Sequence, residues 1–284
     1  MITGCLKSPI TRIGGKSYLV SWLAGKIPPH KVYVEPFAGA AHLLFGKTLS
    51  AVEILNDTDC HLIGFFQVIQ EPEKRQALVD RLAFMPYARA LWQEIRTRWK
   101  QGIIPGDSVQ SAAEFFYLNR LTFSGDQKSG GFAVPSTTGR NPAQSYFNAT
   151  DGLEGIAGRL RGVTIECLDY QECIRRYDSP GTLFYCDPPY LNTEGYYGKG
   201  DFAYADHYAL ARMLNDAKGK VLISHYQDAL YDGLYTGWNK YTFESFKGSS
   251  KAYSGESKPV TIECLWTNFE ARKIQKVLFP GMNL

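Results

Sequence analysis

The chain has 284 residues, of which 44% are hydrophobic and 21% are charged, and its formal net charge is +3 at pH 7. This length and composition exclude an intrinsically disordered chain and leave room for one large or two modest globular domains. The mild positive charge permits a nucleic-acid partner but does not require one, because many enzymes of small molecules carry as much.

Apolar, β-branched runs that predict buried strands alternate with helical patterns over most of the chain. The predicted strands span residues 31–37, 51–55, 163–167, 182–186 and 220–224. Such alternation is typical of an α/β fold whose mostly parallel sheet is covered on both faces. Two later runs, 240–246 and 260–269, are joined by a Gly/Ser/Lys-rich stretch and predict a long hairpin at the sheet edge.

A helix is predicted between the last two of those parallel strands. It begins near Asp206, whose carboxylate is suited to be its N-cap. One face of this helix carries His207, Leu210, Ala211 and Leu214. We therefore expect that face to pack against the sheet.

Residues 60–148 interrupt the alternation of strands and helices. Two sets of apolar residues in this region recur at helical spacing, namely Leu91, Ile95 and Trp99, and then Phe115, Leu118 and Leu121. From Thr122 to Thr150 the sequence is polar, with few apolar residues that could anchor it. We interpret the region as a helical insertion that carries a long polar loop, and loops of this length are often functional.

The six cysteines, at positions 5, 60, 167, 173, 186 and 264, include no Cys-x-x-Cys pair, and three of them lie in apolar, strand-like runs. We therefore expect reduced cysteines, no disulfide framework and a cytoplasmic location. The five histidines have no metal-ligand spacing, so no metal is expected. No run resembles a signal peptide or reaches the length of a membrane span, so no membrane partner is expected.

The turn after the first predicted strand reads Glu35-Pro36-Phe37-Ala38-Gly39-Ala40-Ala41. Its small residues let a ligand approach the backbone, and the N-terminus of the following helix adds partial positive charge. Asp57 follows Gly39 by 18 residues, near the separation at which an acidic residue binds a ribose in nucleotide-binding α/β folds. The alternative is a plain strand–helix connection with a solvated Asp57. The absence of a G-x-G-x-x-G motif disfavours NAD or FAD.

The strand at 182–186 leads directly into Asp187-Pro188-Pro189-Tyr190. Two consecutive prolines end the strand, fix φ twice and remove two backbone donors. The loop then offers a carboxylate and a carbonyl, both acceptors, at the sheet edge where open α/β folds bind ligands. An exocyclic amine, which has two hydrogens to donate, matches this loop. The alternative interpretation is a turn that only terminates the strand.

With these motifs in place, the chain resembles the Dam-type (DPPY, alpha-group) family of adenine-N6-specific DNA methyltransferases. The segments that carry the resemblance, in family order, are Gly14-Gly15-Lys16 with the EPFAGAA turn, Asn56-Asp57, the stretch from Tyr117-Leu118-Asn119-Arg120 to Val134-Pro135, DPPY, and Val221-Leu222-Ile223-Ser224. The resemblance implies a Rossmann-like methyltransferase sheet with a C-terminal antiparallel hairpin. It also implies a catalytic domain, residues 1–59 and 149–284, and a helical target-recognition domain, residues 60–148.

The resemblance implies S-adenosylmethionine as the methyl donor and assigns residues to it. Lys16, Phe37 and Gly39 would line the methionine end of the cofactor, with Asp187 beside them. Asp57 would bind the ribose hydroxyls, and Asp169 would contact the adenine ring. The simpler interpretations are a surface lysine, a core phenylalanine and exposed aspartates.

The catalytic residues implied by the resemblance are Asp187, Pro188, Pro189 and Tyr190. Hydrogen bonds from adenine N6 to the Asp187 carboxylate and the Pro188 carbonyl would localise the nitrogen lone pair for attack. Reaching N6 requires rotating the base out of the duplex, where Tyr190 would stack on it. We expect residues 192–204, rich in Gly and Tyr, to be mobile and to order over that base.

The implied partner is double-stranded DNA, bound by a chain that we expect to be a monomer. The residues assigned to DNA are Arg120, Phe123, Lys128 and Lys251, with Lys247 and Lys258 as further backbone contacts. Phe123 would fill the gap left by the rotated base, although it could equally be a core residue that closes the preceding helix. The loop at 124–135 is shorter than in family members that methylate GATC, so the target sequence stays open.

Three other functions are compatible with parts of this pattern. The amine acceptor could be cytosine N4 or a base in RNA, although Asp187 favours adenine because a serine at that position would favour cytosine. The chain could also be a nucleic-acid-binding protein of the same fold without catalytic activity. A nicotinamide-dependent oxidoreductase is disfavoured by the missing glycine motif.

Overall fold

The structure is a computed structural model that describes residues 6–12, 14–126, 129–191, 202–246 and 260–271. The strands in these ranges are β1 (Val32–Glu35), β2 (Val52–Asn56), β3 (Val163–Glu166), β4 (Thr182–Cys186), β5 (Lys220–Tyr226), β6 (Asn239–Phe246) and β7 (Val260–Thr267). The helices are α1 (Val20–Ala24), α2 (His42–Gly46), α3 (Cys60–Gln70), α4 (Pro72–Phe84), α5 (Arg89–Lys100), α6 (Ser108–Leu121), α7 (Pro142–Asp151), α8 (Leu153–Leu160), α9 (Tyr170–Tyr177), α10 (Tyr204–Asn215) and α11 (Ala229–Leu234). None of the described helices is long and apolar enough to cross a membrane.

These strands form one sheet in the order β3-β2-β1-β4-β5-β7-β6. The first five strands in that order are parallel, whereas β7 runs antiparallel to both β5 and β6. The predicted parallel sheet and the predicted C-terminal hairpin are therefore confirmed. Because the chain order reverses between β1 and β4, the carboxyl ends of these two neighbouring strands open a crevice, and open α/β sheets bind ligands at such a crevice.

The central strand β4 is covered on both faces of the sheet. Every residue of β4 is buried, as expected for a continuous apolar run in a parallel sheet. On one face pack α9 to α11, and α10 presents the predicted residues His207, Leu210, Ala211 and Leu214 to the core. The buried face of α10 is thus confirmed.

The predicted N-cap of α10 was wrong. The helix begins at Tyr204, so its N-cap is Ala203 and Asp206 lies at the third helical position. The Asp206 carboxylate accepts a hydrogen bond from the backbone N–H of Ala203 at 2.7 Å. An acidic side chain at the third position can reach back to the N-cap in this way, so Asp206 still stabilises the start of the helix.

The predicted helices of residues 60–121 are present and pack around aromatic side chains. The rings of Phe65 in α3 and Phe116 in α6 stack with their centroids 5.3 Å apart, and both side chains are fully buried. Leu91, Ile95 and Trp99 lie within α5. One apolar core continues from these helices to the sheet residues Tyr33 and Leu183.

The prediction of one long polar loop between Thr122 and Thr150 was wrong for its last part, which forms α7. The side chain of Asn141 caps this helix by accepting the N–H of Gln144 at 3.1 Å, and Pro142 occupies the first turn. The fully buried ring of Tyr146 anchors α7, and its hydroxyl donates to the carbonyl of Leu82 at 3.2 Å. The buried residues of this helix are Pro142, Tyr146 and Thr150, of which only Tyr146 has a large ring.

The expectation of reduced cysteines was also wrong for one pair, because Cys60 and Cys167 form a disulfide with their Cα atoms 5.9 Å apart. The parallel pairing of β2 and β3 brings the residues after these two strands together. Sequence spacing gave no sign of the pair, since 107 residues separate its members. The other described cysteines, Cys173, Cys186 and Cys264, are free and buried among apolar residues.

We expect this disulfide to stabilise the folded state by about 2–4 kcal/mol, because it closes a long loop in the unfolded chain. Urea unfolding with and without a reductant measures the effect. Stability should fall on reduction in the wild type and should not respond to the reductant in Cys60→Ser. Peptide mapping without reductant that recovers no Cys60–Cys167 cross-link would contradict the assignment.

Candidate active site

The Asp187 carboxylate lies at the carboxyl end of β4, beside the crevice between β1 and β4. Its Oδ1 accepts a hydrogen bond from Ser224 Oγ of β5 at 3.0 Å and lies 3.4 Å from Lys16 Nζ. The Asp187 side chain is 23% exposed, whereas that of Lys16 is almost fully buried. Pro188 and Pro189, which follow it in the chain, are buried. The loop therefore presents one carboxylate at the opening of a packed, polar network.

Lys16 is a buried cation between two acidic side chains. Its ammonium group lies 3.4 Å from Asp187 Oδ1 and 3.7 Å from Glu263 Oε2, and donates to the carbonyl of Gly14 at 3.1 Å. Burial by itself lowers the pKa of Lys16, but the charges of Asp187 and Glu263 outweigh it and raise the pKa above its usual value. Lys16 is therefore charged at all physiological pH values. Lys16 is therefore not the solvated surface lysine of the simpler interpretation.

Tyr190 is buried against residues of β5 and β7. Its hydroxyl donates to Glu263 Oε2 at 3.1 Å, and its ring meets the ring of Tyr226 edge to face with the centroids 4.7 Å apart. The Lys16 ammonium lies 4.4 Å from the centroid of the same ring, a cation–π contact. Burial raises the pKa of Tyr190 well above its usual value. The hydroxyl therefore stays protonated and acts as a donor.

The loop after β1 is joined to Asp57, which follows β2. Gly39 has a φ of +49°, a conformation that L-residues rarely adopt, and its N–H donates to Asp57 Oδ2 at 2.8 Å. The N–H of Asp59 donates to Asp57 Oδ1 at 2.9 Å. Two backbone donors thus fix the Asp57 carboxylate, while each oxygen keeps a lone pair for a further donor.

Asn56 links this pair to the loop after β3. Its amide nitrogen donates to the carbonyls of Pro36 and Leu168 at 2.9 and 3.0 Å, and its oxygen accepts the N–H of Leu168 at 2.9 Å. The next residue, Asp169, is exposed and caps α9 by accepting the N–H of Gln171 at 2.8 Å. The loops that carry Phe37, Asp57 and Asp169 are therefore held together at one edge of the sheet.

An aromatic wall stands beside these carboxylates. The ring of Phe37 stacks on Tyr170 with the centroids 5.2 Å apart and an interplanar angle of 28°. Phe202 meets Phe37 edge to face at 5.9 Å. Phe37 is only half-buried, which differs from a plain core phenylalanine. The predicted mobile segment otherwise falls on residues 192–201, which lie outside the described residues.

The residues predicted to bind DNA are placed in two different ways. Phe123 lies in the turn after α6 and is 52% exposed, with the Arg140 guanidinium 5.3 Å from its ring centroid. It therefore does not close the helix as a core residue. The guanidinium of Arg120 donates within the protein, to Thr11 Oγ1 at 3.0 Å and to Ser145 Oγ at 2.7 Å. Lys128 and Lys251, like Lys247 and Lys258, lie outside the described residues.

Two residues in these sites were not predicted from the sequence: Glu263, which contacts Tyr190 and Lys16, and Arg140, which lies beside Phe123. Glu263 was assigned only to a strand, although a glutamate between Ile262 and Cys264 in an apolar run signals a buried partner. Arg140 lies in the stretch that was predicted as a polar loop and was given no role, and its place beside Phe123 depends on the fold of residues 129–141. Glu263 could therefore have been recognised from the sequence, because a charged side chain inside an apolar strand needs a buried partner. Arg140 shows no such signal.

Glu35 ends β1 directly beneath the crevice and is fully buried. Its Oε1 accepts a hydrogen bond from the Tyr33 hydroxyl at 2.7 Å. Burial raises the pKa of Glu35 from 4.5 to about 7, although the hydrogen bond from Tyr33 and the charge of Lys47 act in the opposite direction. The folded state therefore favours the neutral carboxyl.

This elevated pKa predicts a pH-dependent loss of stability. Because the folded pKa lies above the unfolded one, Glu35 stabilises the fold below about pH 4.5 and loses that contribution as the pH rises to about 7. The free energy of unfolding of the wild type should fall by about 3 kcal/mol relative to Glu35→Gln over this range. Urea unfolding of both proteins at several pH values measures it, and a difference that does not change with pH would refute it.

The strand order β3-β2-β1-β4-β5-β7-β6, with an Asp-Pro-Pro-Tyr loop at the point where it reverses, defines a Rossmann-like methyltransferase fold. The family profile described as D12 class N6 adenine-specific DNA methyltransferase matches residues 13–251. The chain belongs to this family and is an adenine-specific DNA methyltransferase.

Relatives named as DNA adenine methylases align along most of their length. The DNA adenine methylase of Vibrio cholerae is 28% identical over 269 residues, which cover 89% of this chain and 94% of the relative. The retron Ec67 DNA adenine methylase of Escherichia coli is 27% identical, and the alignment covers 87% of this chain and 87% of the relative. The type II methyltransferase M.CviBI of Paramecium bursaria Chlorella virus NC1A is 27% identical, with 81% of this chain and 93% of the relative covered. The resemblance seen in the sequence motifs is thereby confirmed.

Proposed function

We propose that the chain transfers the methyl group of S-adenosylmethionine to N6 of an adenine that has been rotated out of duplex DNA. The observation that carries this proposal is the position of the Asp187 carboxylate. It opens onto the crevice between β1 and β4, next to the loop that the Gly39–Asp57 hydrogen bond fixes. An acceptor for an amine and a pocket suited to a nucleoside therefore adjoin at one sheet edge.

The residues of the pocket fit S-adenosylmethionine. The remaining lone pairs of Asp57 can accept the two ribose hydroxyls, because its backbone donors leave capacity on both oxygens. The half-buried ring of Phe37 can pack against the cofactor, and the exposed Asp169 carboxylate can accept from an adenine amine. When bound, the cofactor supplies an electrophilic methyl group on a sulfonium sulfur.

Asp187 is suited to bind and orient the attacking amine. Within the described part of the chain its hydrogen bond and ion pair both involve Oδ1, so Oδ2 is left to accept one N6 hydrogen. The carbonyl of Pro188 would accept the other, which localises the lone pair on N6 and directs it at the methyl carbon. The new N–C bond replaces the S–C bond, and Asp187 can take up the proton that N6 releases. Tyr190 supplies an aromatic ring for the base to stack on.

DNA recognition is assigned to residues 60–148, in the helical part of the chain. Phe123 would enter the duplex where the base leaves, and Arg140 would contact a phosphate; the exposed ring of Phe123 and the Arg140 guanidinium beside it support this role. Arg120 would assist chiefly by holding the segments around Thr11 and Ser145. Lys128 and Lys251 complete the proposed contacts.

The test is methyl transfer from labelled S-adenosylmethionine to unmethylated genomic DNA, followed by sequencing that reports modified bases. We expect label in duplex DNA, at adenine, within one short sequence context. A defined duplex with 2-aminopurine at that adenine should then become fluorescent on binding, because the rotated base leaves the stack. Label in cytosine or only in RNA would refute the proposal, and an unchanged fluorescence would refute base rotation.

A further inference from the structure

We infer that Glu263 of β7 is a positioning residue, which holds the Tyr190 ring in the orientation required for stacking on the target base. Glu263 touches neither reacting atom in this geometry. It acts through the Tyr190 hydroxyl and the Lys16 ammonium. The inference rests on the proposed function, because it gives Tyr190 the base-stacking role described above.

The first support is the burial and bonding of the Glu263 carboxylate. Glu263 is 3% exposed, although a lone glutamate inside an apolar strand is costly to bury. Its Oε2 accepts the Tyr190 hydroxyl at 3.1 Å, and its Oε1 accepts the Tyr18 hydroxyl at 3.1 Å. Lys16 Nζ lies 3.7 Å from Oε2. Each oxygen of the buried carboxylate therefore has a defined partner.

The second support is the register of the sheet. The antiparallel pairing of β7 with β5 sets Glu263 opposite Tyr226, the last residue of β5. This position is at the same sheet edge as Asp187, which follows β4. Although β7 is antiparallel to β5, its Glu263 carboxylate thus lies at the same end of the sheet as the Asp187 loop.

The third support is the way in which the ring of Tyr190 is surrounded. Tyr226 meets the ring edge to face at 4.7 Å, and His225 lies 5.3 Å away. These contacts restrict the body of the ring, and the hydrogen bond to Glu263 fixes its far end. Since the prolines fix the backbone before Tyr190, the ring has an anchor at both ends. A stacking platform that is held in advance loses less freedom when the base arrives.

The variants separate this role from a purely structural one. Glu263→Met removes both acceptor oxygens but keeps the side-chain length, whereas Glu263→Gln keeps an acceptor for Tyr190. Tyr190→Phe removes the same hydrogen bond from the other side and keeps the ring. Glu244→Met, an exposed glutamate on the neighbouring strand β6, is the matched control.

We expect Glu263→Met to lower the single-turnover rate at saturating DNA and cofactor by about 10- to 100-fold, with cofactor affinity within about threefold of the wild type. Glu263→Gln should recover most of the rate, and Glu244→Met should match the wild type. Tyr190→Phe should lower the rate, and adding Glu263→Met should lower it little further, because both changes break one hydrogen bond. Thermal unfolding reports whether each variant folds.

Three results would overturn the inference. The first is a normal rate in Glu263→Met. The second is a cofactor affinity that falls in proportion to the rate, which would place the effect in Lys16 and the cofactor pocket. The third is full additivity of Glu263→Met and Tyr190→Phe. If Glu263→Met folds poorly, Tyr190→Phe and Glu263→Gln are compared instead, and a normal rate in Tyr190→Phe would overturn the inference. An inactive wild type in the same assay would refute the proposed function, and this inference with it.

Discussion

Replacing Asp187 by alanine is expected to lower the rate of methyl transfer by about 10²- to 10³-fold, the range found when one preorganised hydrogen-bonding partner of a transition state is removed. The change takes away the carboxylate that would accept the N6 hydrogen. Lys16 keeps Glu263 as a partner, so the fold around the loop should persist. The measurement is the single-turnover rate with labelled S-adenosylmethionine on duplex DNA.

Two controls accompany this prediction. Asp216→Ala removes an exposed carboxylate at the end of α10, away from the crevice, and should leave the rate unchanged. Asp187→Asn keeps an acceptor oxygen in nearly the same place and should lose less activity than the alanine variant. A rate for Asp187→Ala within about threefold of the wild type would mean that this carboxylate does not bind the reacting amine.

Replacing Glu53 by alanine is expected to destabilise the fold by about 3–5 kcal/mol, because it leaves two buried cations without their common partner. Glu53 in β2 forms ion pairs with Lys47 and with Arg159 of α8, and all three side chains are almost fully buried. Arg159 also donates to the carbonyl of Leu44 at 2.7 Å. Urea unfolding at neutral pH measures the loss.

The pH dependence of this cluster has a definite sign. Burial by itself raises the pKa of Glu53, but the hydrogen bonds from Arg159 and Lys47 outweigh it and lower the pKa below its usual value. Its contribution is therefore present at neutral pH and is lost as the pH falls through the lowered pKa. The matched control is Glu154→Ala, which breaks the pair with Arg75 at a side chain that is 75% exposed and should cost less than about 1 kcal/mol. Equal losses in both variants would contradict the assignment.

The strands and the loops at their ends could be predicted from the sequence, because their signals are local. The run 182–186 is buried throughout, and Asp187 and two prolines follow it directly, so both the strand and the acceptor loop after it could be predicted from neighbouring residues. The spacing of Asp57 after Gly39 predicted a ribose-binding carboxylate, which stays a prediction, whereas the hydrogen bond of 2.8 Å that joins the two residues was not predicted.

Other features depend on contacts that no local pattern records. Cys60 and Cys167 meet only because β2 and β3 are parallel neighbours. Helix α7 buries Tyr146 as its one large ring, and its other buried residues are Pro142 and Thr150, so its sequence shows no apolar run at helical spacing. Arg120 looked like a free cation, yet its guanidinium is engaged by Thr11 and Ser145, which are far from it in the chain. These contacts depend on how the helices and strands pack, so they can be predicted only once the topology is known.

Because β7 comes late in the chain, a polypeptide that is still being synthesised cannot complete the active site until β7 has been made. Tyr18 and Glu263 bond across 245 residues, and β7 must insert between β5 and β6 before the carboxylate reaches Tyr190. At a synthesis speed of about 5–20 residues per second, the first strands wait many seconds for this last partner to leave the ribosome. Nascent chains that have folded only their early strands would thus lack the anchor for Tyr190, and modification of DNA would await the finished sheet.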